Sequence, residues 1–128
     1  MIAALLGGGA YGSYGVASTF YTGALQTVTY KIPKYRFRGC RTFTNKPPCG
    51  PKRGHGSVQP RFAFEVQLDE LAERVGLDGI EIRRVNFQGG DPLTVNGQRI
   101  TSNGFGECLD EVERASDWKT RHGALPFG

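Results

Sequence analysis

The chemistry of this 128-residue chain is concentrated between Thr44 and Gln67. There, Lys52-Arg53-Gly54-His55-Gly56 sits in a loop stiffened by Pro47, Pro48 and Pro51, which runs through Gln59 and Pro60 into an amphipathic stretch. These residue types in this order suit the capture of an anion. Gly54 and Gly56 let the backbone come close to a ligand. Lys52 brings a point charge, and Arg53 a planar fork that matches phosphate or carboxylate. The N–H groups that open a following helix aim at the same place. The pattern defines an anion site and leaves the anion open.

Charge is divided along the chain in the same sense. Residues 1–64 hold nine Lys or Arg and no Asp or Glu, a formal +9; residues 65–128 hold seven against twelve, or −5, giving the net +4. Such asymmetry fits a basic module that binds nucleic acid, a membrane surface or another polyanion. It fits equally an acidic segment elsewhere that neutralises the basic half. The basic residues are spread singly, with no run, no Arg-Gly-Phe strand signature and no zinc-knuckle spacing, which favours the second reading and argues against nucleic acid.

The length suits one domain. With 38% hydrophobic residues and 19 glycines, about twice the usual glycine share, the core is expected to be small and loop-rich. The longest apolar stretch, Ile2 to Leu6, falls far short of the roughly 20 residues a membrane span needs. With no Lys or Arg before it, that stretch does not read as a signal peptide either. Cys40, Cys49 and Cys108 form an odd, scattered set, which argues against a disulfide framework and for a reducing, cytoplasmic setting. Together with His55 and His122 they include no close pair, so no metal is expected on Cys or His side chains.

The elements that must position the loop follow from periodicity and punctuation. Gly7 to Gly15 reads as strand and turn pieces. A short helix is expected from Ser18 or Thr19 to about Thr27, with Ser18 as its cap. Tyr35 to Phe43 alternates aromatic or apolar residues with arginines and predicts a strand with one buried and one basic face, but without an evident strand partner. After the loop, Pro60 fits the first helical position, Phe62, Val66, Leu68, Leu71, Ala72 and Val75 form an apolar stripe, and Gly76 ends the helix. Glu65, Asp69, Glu70 and Glu73 then face outward or toward a partner. Asp78 with Glu81 predicts a capping box on a second short helix. Residues 86–103 read as loop with a small hairpin, and a last helix from about Glu107 to Trp118 is expected to bury Phe105, Leu109, Val112 and Ala115. The fold class is α+β, short strands plus amphipathic helices. It divides as one partial domain into a basic, glycine-rich strand and loop half (1–58), a helical half (59–118) and a tail (119–128).

Several motifs occur in a specific series: Gly9-Ala10-Tyr11-Gly12-Ser13-Tyr14-Gly15, Tyr30-Lys31-Ile32-Pro33, Thr44-Asn45 with Pro47-Pro48, Arg53-Gly54-His55-Gly56, Gln59-Pro60, and Ile80-Glu81-Ile82-Arg83-Arg84 with Asn86. In that series, over about residues 9–123, the chain resembles the large, molybdenum-cofactor-binding subunit of the xanthine dehydrogenase family. Glu107-Cys108-Leu109-Asp110 and Val112-Glu113-Arg114-Ala115-Ser116 make the 4-hydroxybenzoyl-CoA reductase alpha subunit the nearest likeness.

The resemblance implies an internal fragment of the molybdenum-cofactor-binding domain, lacking the upstream glycine-rich segment and the downstream glutamate segment of the family. Such a chain is expected to be inactive alone. It implies a molybdenum–molybdopterin cofactor whose metal is held by the pterin, with no protein ligand. It places Arg53, Gly54, His55, Gly56 and Gln59 at the cofactor and His55 toward the substrate. Iron–sulfur clusters and FAD are expected on partner subunits, beside the remainder of the large subunit. Tyr21 stands ten residues before Lys31, where xanthine-type members carry a substrate-polarising arginine. That departure puts a purine substrate in doubt; the nearest likeness implies an aromatic or CoA-thioester substrate, handled by hydroxylation or reductive dehydroxylation. Plainer readings stand beside these: Arg53 pairing with Glu65 or another chain, His55 without a chemical role, Gln59 as a capping amide, Tyr21 as core, and the whole chain as a truncated, non-catalytic remnant.

Overall fold

The structure is a computed structural model that describes residues 2–11, 15–90 and 92–122. Strand β1 (Ile2–Gly7) leads by way of glycines into helix α1 (Gly15–Ala24), which tightens into a 3-10 turn over Leu25–Thr27. Strand β2 (Phe37–Thr42) then pairs with β1 in parallel, in register from Ile2↔Phe37 to Gly7↔Thr42. A parallel pair needs a long crossover, and α1 supplies it, packed on both strands. The approach is close because a β-carbon on Gly23 would lie 2.3 Å from the Phe37 ring, and one on Gly39 only 2.6 Å from the Thr19 methyl.

Three expectations are corrected here. The strand over 35–43 does have a partner, the apolar run at Ile2, whose few residues gave no sign of their own as to strand or helix. Its faces also divide differently. Phe37 and Arg41 both turn toward α1, near Gly23 and Gly15, because an odd spacing of three puts Arg38 and Arg41 on opposite faces. Helix α1 begins at Gly15, ahead of the expected Ser18 cap; Ser18 is buried within it. Residues 12–14 of the glycine-rich opening and 123–128 of the tail lie outside the described residues.

The rest is helical: α2 (Val58–Val75), α3 (Gly79–Asn86), α4 (Phe105–Ser116) and a single turn, α5 (Trp118–Arg121). Their core closes around Tyr30, Leu68, Ala72 and Ile82, with Ile32, Phe64, Leu77 and Phe105 packed against it. Helix α2 starts two residues earlier than expected, so Pro60 takes its third position, still within the turn whose N–H groups lack helical acceptors. Gly76 ends it in the left-handed region (φ 72°). Asp78 and Glu81 form the expected capping box of α3. Leu93 and Arg99 make one antiparallel bridge where a small hairpin was expected.

The apolar stripe of α2 is also corrected. Leu68 and Ala72 are buried with Phe64 in the same row, while Phe62 is 72% and Val66 41% exposed, and Leu71 and Val75 are exposed too. Phe62 and Val66 are offset by two residues from the buried row, about 200° around a helix, so one face cannot hold both rows. On α4, Leu109 is buried and Phe105 packs on the core, but Val112 and Ala115 are exposed.

Candidate functional site

The loop from Lys52 to Ser57 turns sharply through left-handed backbone. Arg53 has φ +48°, Gly54 +103° and Gly56 +72°. Among the described residues only Arg53 and Asp117 are non-glycine residues with positive φ, and Asp117 is the ordinary end of α4. Holding an L-residue there costs roughly 1–2 kcal/mol, so the surroundings must impose the conformation. Ser57 closes the turn with its N–H on the Gly54 carbonyl (3.2 Å) and caps α2 without a side-chain bond.

Helix α1 is the platform that imposes it. The Gly56 backbone rests on Ser18, and the buried Thr22 hydroxyl donates toward the Gly56 carbonyl oxygen at 2.7 Å. On the same face, Tyr21 meets His55 with ring centroids 5.2 Å apart, and Phe20 meets Tyr21 edge-on at 5.5 Å. The other face of α1, through Val16, Thr19, Phe20 and Gly23, borders an open apolar groove of about 710 Å³ against β2.

A charged network fixes α2 behind the loop. Arg61 donates to the Leu25 carbonyl at 3.0 Å and pairs with Glu65 at 3.7 Å. Tyr30 donates its hydroxyl to Glu65, and Arg83 reaches Glu65 and Asp69. Burial first, then the Glu65 carboxylate, pushes the Tyr30 phenol above the ordinary tyrosine range. The Arg83 guanidinium is raised: burial opposes this, but Asp69 and Glu65 outweigh it. Glu65 and Asp69 therefore find their partners inside the chain. The pairing of Arg53 with Glu65 does not form; Glu65 is engaged by Tyr30, Arg61 and Arg83.

The structure thus brings Arg53, Gly54, His55, Gly56 and Tyr21 to one corner, with Gln59 exposed at the second position of α2. Lys52 and Arg53 are exposed and enter no ion pair among the described residues. The first turn of α2 carries no acid. Two free cations, a left-handed glycine turn and an uncapped helix start suit an anion better than any other ligand. Sequence reasoning missed Thr22 and read Ser18 only as a helix cap, because a contact spanning 34 residues leaves no local signature. Among the described residues no group of three His, Cys, Asp or Glu could hold a metal ion. Among the described residues no helix is long and apolar enough to cross a membrane.

A parallel β–α–β crossover followed by a glycine turn that opens the next helix defines a segment of an α+β domain. The profile of the molybdopterin cofactor-binding domain matches residues 2–87, and the chain belongs to that family. It is 35% identical over 114 residues to the xanthine dehydrogenase molybdenum-binding subunit of Escherichia coli O157:H7, covering 88% of this chain and 15% of that protein. To the nicotinate dehydrogenase large molybdopterin subunit of Eubacterium barkeri it is 31% identical over 109 residues, 85% of this chain and 25% of that one. Among solved structures, quinoline 2-oxidoreductase from Pseudomonas putida 86 superposes with a TM-score of 0.82 at 25% identity, over 91% of this chain and 16% of that chain. The chain spans about a sixth of the length of most of these relatives. The free Lys52 and Arg53 and the glycine turn fit the anionic group that the family binds.

Proposed function

We propose that this chain forms one wall of the molybdenum–pterin cavity in the large subunit of a molybdenum hydroxylase. The observation that carries the reading is the left-handed turn through Arg53, Gly54 and Gly56, clamped onto α1 in a chain of the molybdopterin cofactor-binding family. When bound, the cofactor supplies two-electron redox chemistry. Arg53 and the backbone around Gly54 and Gly56 hold its anionic edge, with Gln59 beneath. His55 and Tyr21, in ring contact, face the substrate.

Tyr21 gives this corner an aromatic, neutral side chain. That suits an aromatic or acyl-CoA-type substrate, handled as in 4-hydroxybenzoyl-CoA reductase, by hydroxylation or reductive dehydroxylation. The remainder of the large subunit completes the cavity, and iron–sulfur and FAD subunits carry the electrons onward in the cytoplasm. The chain alone is inactive in this reading, since one wall holds no reacting group of its own.

The test uses the complete subunit purified from cells supplied with molybdate. Arg53→Ala removes a charged hydrogen bond to the cofactor, worth about 1.5–3 kcal/mol, so retention of molybdenum and turnover should fall about ten- to a hundredfold. The melting temperature should hold, because Arg53 is exposed and packs into no core. A parent subunit free of molybdenum and pterin, or an Arg53→Ala variant with full cofactor and activity, defeats the reading.

A further inference from the structure

We infer that Thr22 is a positioning residue that sets the cofactor loop through the Gly56 carbonyl, an inference that rests on the cofactor reading above. Thr22 is 3% exposed in the last turn of α1. Its Oγ1 lies 2.8 Å from the Ser18 carbonyl oxygen and 2.7 Å from that of Gly56. A helical threonine usually returns its proton to the carbonyl four residues back. Thr19 does only this, on Gly15 at 3.1 Å. Thr22 is set apart by a second acceptor arriving from the loop, and one hydroxyl proton serves one acceptor at a time.

The Gly56 carbonyl needs that donor for a reason written in the sequence. It lies one residue ahead of the cap, so the helical bonds begin past it, with the Arg61 N–H on the Ser57 carbonyl, and Pro60 has no N–H to offer it. Thr22 supplies the missing donor from across the fold. The fit is close as well, since a β-carbon on Gly56 would sit 2.0 Å from the Ser18 oxygen. The carbonyl so held belongs to the peptide joining His55-Gly56 to Ser57, the cap of α2. With that peptide pinned, the His55 ring stays against Tyr21 and the first N–H groups of α2 keep their aim. Released, the peptide is held only by the Ser57 N–H on the Gly54 carbonyl, and both loosen.

The experiment compares three variants of the complete, molybdenum-loaded subunit. Thr22→Val keeps the shape and removes the donor, Thr22→Ser keeps the donor, and Thr19→Val removes only a bond internal to the helix. Molybdenum remaining on the protein is followed by elemental mass spectrometry after timed incubation and desalting. Hydrogen exchange at Ser57 and Val58 is followed in the same samples. Thr22→Val should release molybdenum about tenfold faster, the equivalent of one hydrogen bond, with faster exchange at Ser57. Thr22→Ser and Thr19→Val should match the parent in both.

Parent-like behaviour of Thr22→Val, failure of serine to restore retention, or equal damage from Thr19→Val each overturns the inference. Should Thr22→Val misfold, Thr22→Ala removes the same donor without a β-branch and is judged by the same outcomes. Arg53→Ala run in parallel separates the two claims. If it sheds molybdenum while Thr22→Val does not, only the role of Thr22 falls. If the parent carries no molybdenum, the cofactor reading falls and takes this role with it.

Discussion

Gly56 passes so close to Ser18 that a β-carbon on it would lie 2.0 Å from the Ser18 carbonyl oxygen. Gly76, at the end of α2, has the same φ of 72° but nothing within 4 Å of the equivalent point. The pair separates conformational cost from steric cost. Gly76→Ala should lose only the left-handed preference, about 1 kcal/mol. Gly56→Ala adds a backbone collision to that loss and should cost roughly 3 kcal/mol or more. Urea unfolding of the two variants checks the difference; equal losses would mean that the loop does not bear on α1.

Tyr30 is the centre of the helical core and also its polar anchor. It is 2% exposed, stacks on Phe64 and meets Phe105 edge-on, while its hydroxyl donates to Glu65 at 2.9–3.0 Å. Tyr30→Phe should cost about 1.5–3 kcal/mol, the range for a hydrogen bond to a charged acceptor. Tyr30→Ala should cost about 3–5 kcal/mol as the core opens. The pH dependence has a definite sign. Because the folded phenol ionises above its unfolded value of about 10, stability is full below that pH and falls as pH rises beyond it. Tyr30→Phe should flatten that fall in denaturation curves taken between about pH 9 and pH 11, one unit either side of the unfolded value.

The end of α2 and the start of α3 were legible in the residues because their signals are local, whereas the starts of α1 and α2 were not. Gly76 and the Asp78–Glu81 box need only neighbours within a turn, and both form. Faces were less legible. Phe62 and Val66 are as apolar as Leu68, yet the surface that would bury them is not among the described residues, so hydrophobicity alone assigned them inward. The β1–β2 pairing was hidden for another reason: parallel partners separated by a helix carry no turn signal between them. At the site, the cations and glycines of the loop announced themselves, whereas Ser18 and Thr22 look like ordinary helix residues until the loop is folded against them.

His55 and Tyr21 offer a test of the substrate side that leaves the cofactor alone. Their rings lie 5.2 Å apart at 57°, a contact worth about 0.5–1.5 kcal/mol. In the complete enzyme, His55→Ala should raise KM or lower turnover about threefold to tenfold on that basis, with molybdenum content unchanged. Tyr21→Phe keeps the ring and should stay near the parent unless its hydroxyl binds substrate. Loss of molybdenum from His55→Ala would instead place His55 at the cofactor.

Asp78 gives a prediction in the acid range. Its carboxylate accepts from the N–H groups of Ile80 at 2.7 Å and Glu81 at 2.8 Å. Burial by itself would raise its pKa, but these two donors hold the carboxyl below the usual range. A folded pKa below the unfolded one means that the stabilisation is present above the unfolded value of about 3.9 and is lost as pH falls through the folded value. Asp78→Ala should therefore cost about 1 kcal/mol at neutral pH, the usual worth of such a cap, and progressively less as the pH falls below the unfolded value. Asp78→Asn keeps an acceptor oxygen without the titration, so its stability should change less across the same range. Guanidinium unfolding at pH 7 and at acid pH decides it. A gap between Asp78→Ala and the parent that stays constant with pH would show that the carboxylate charge adds nothing to the cap.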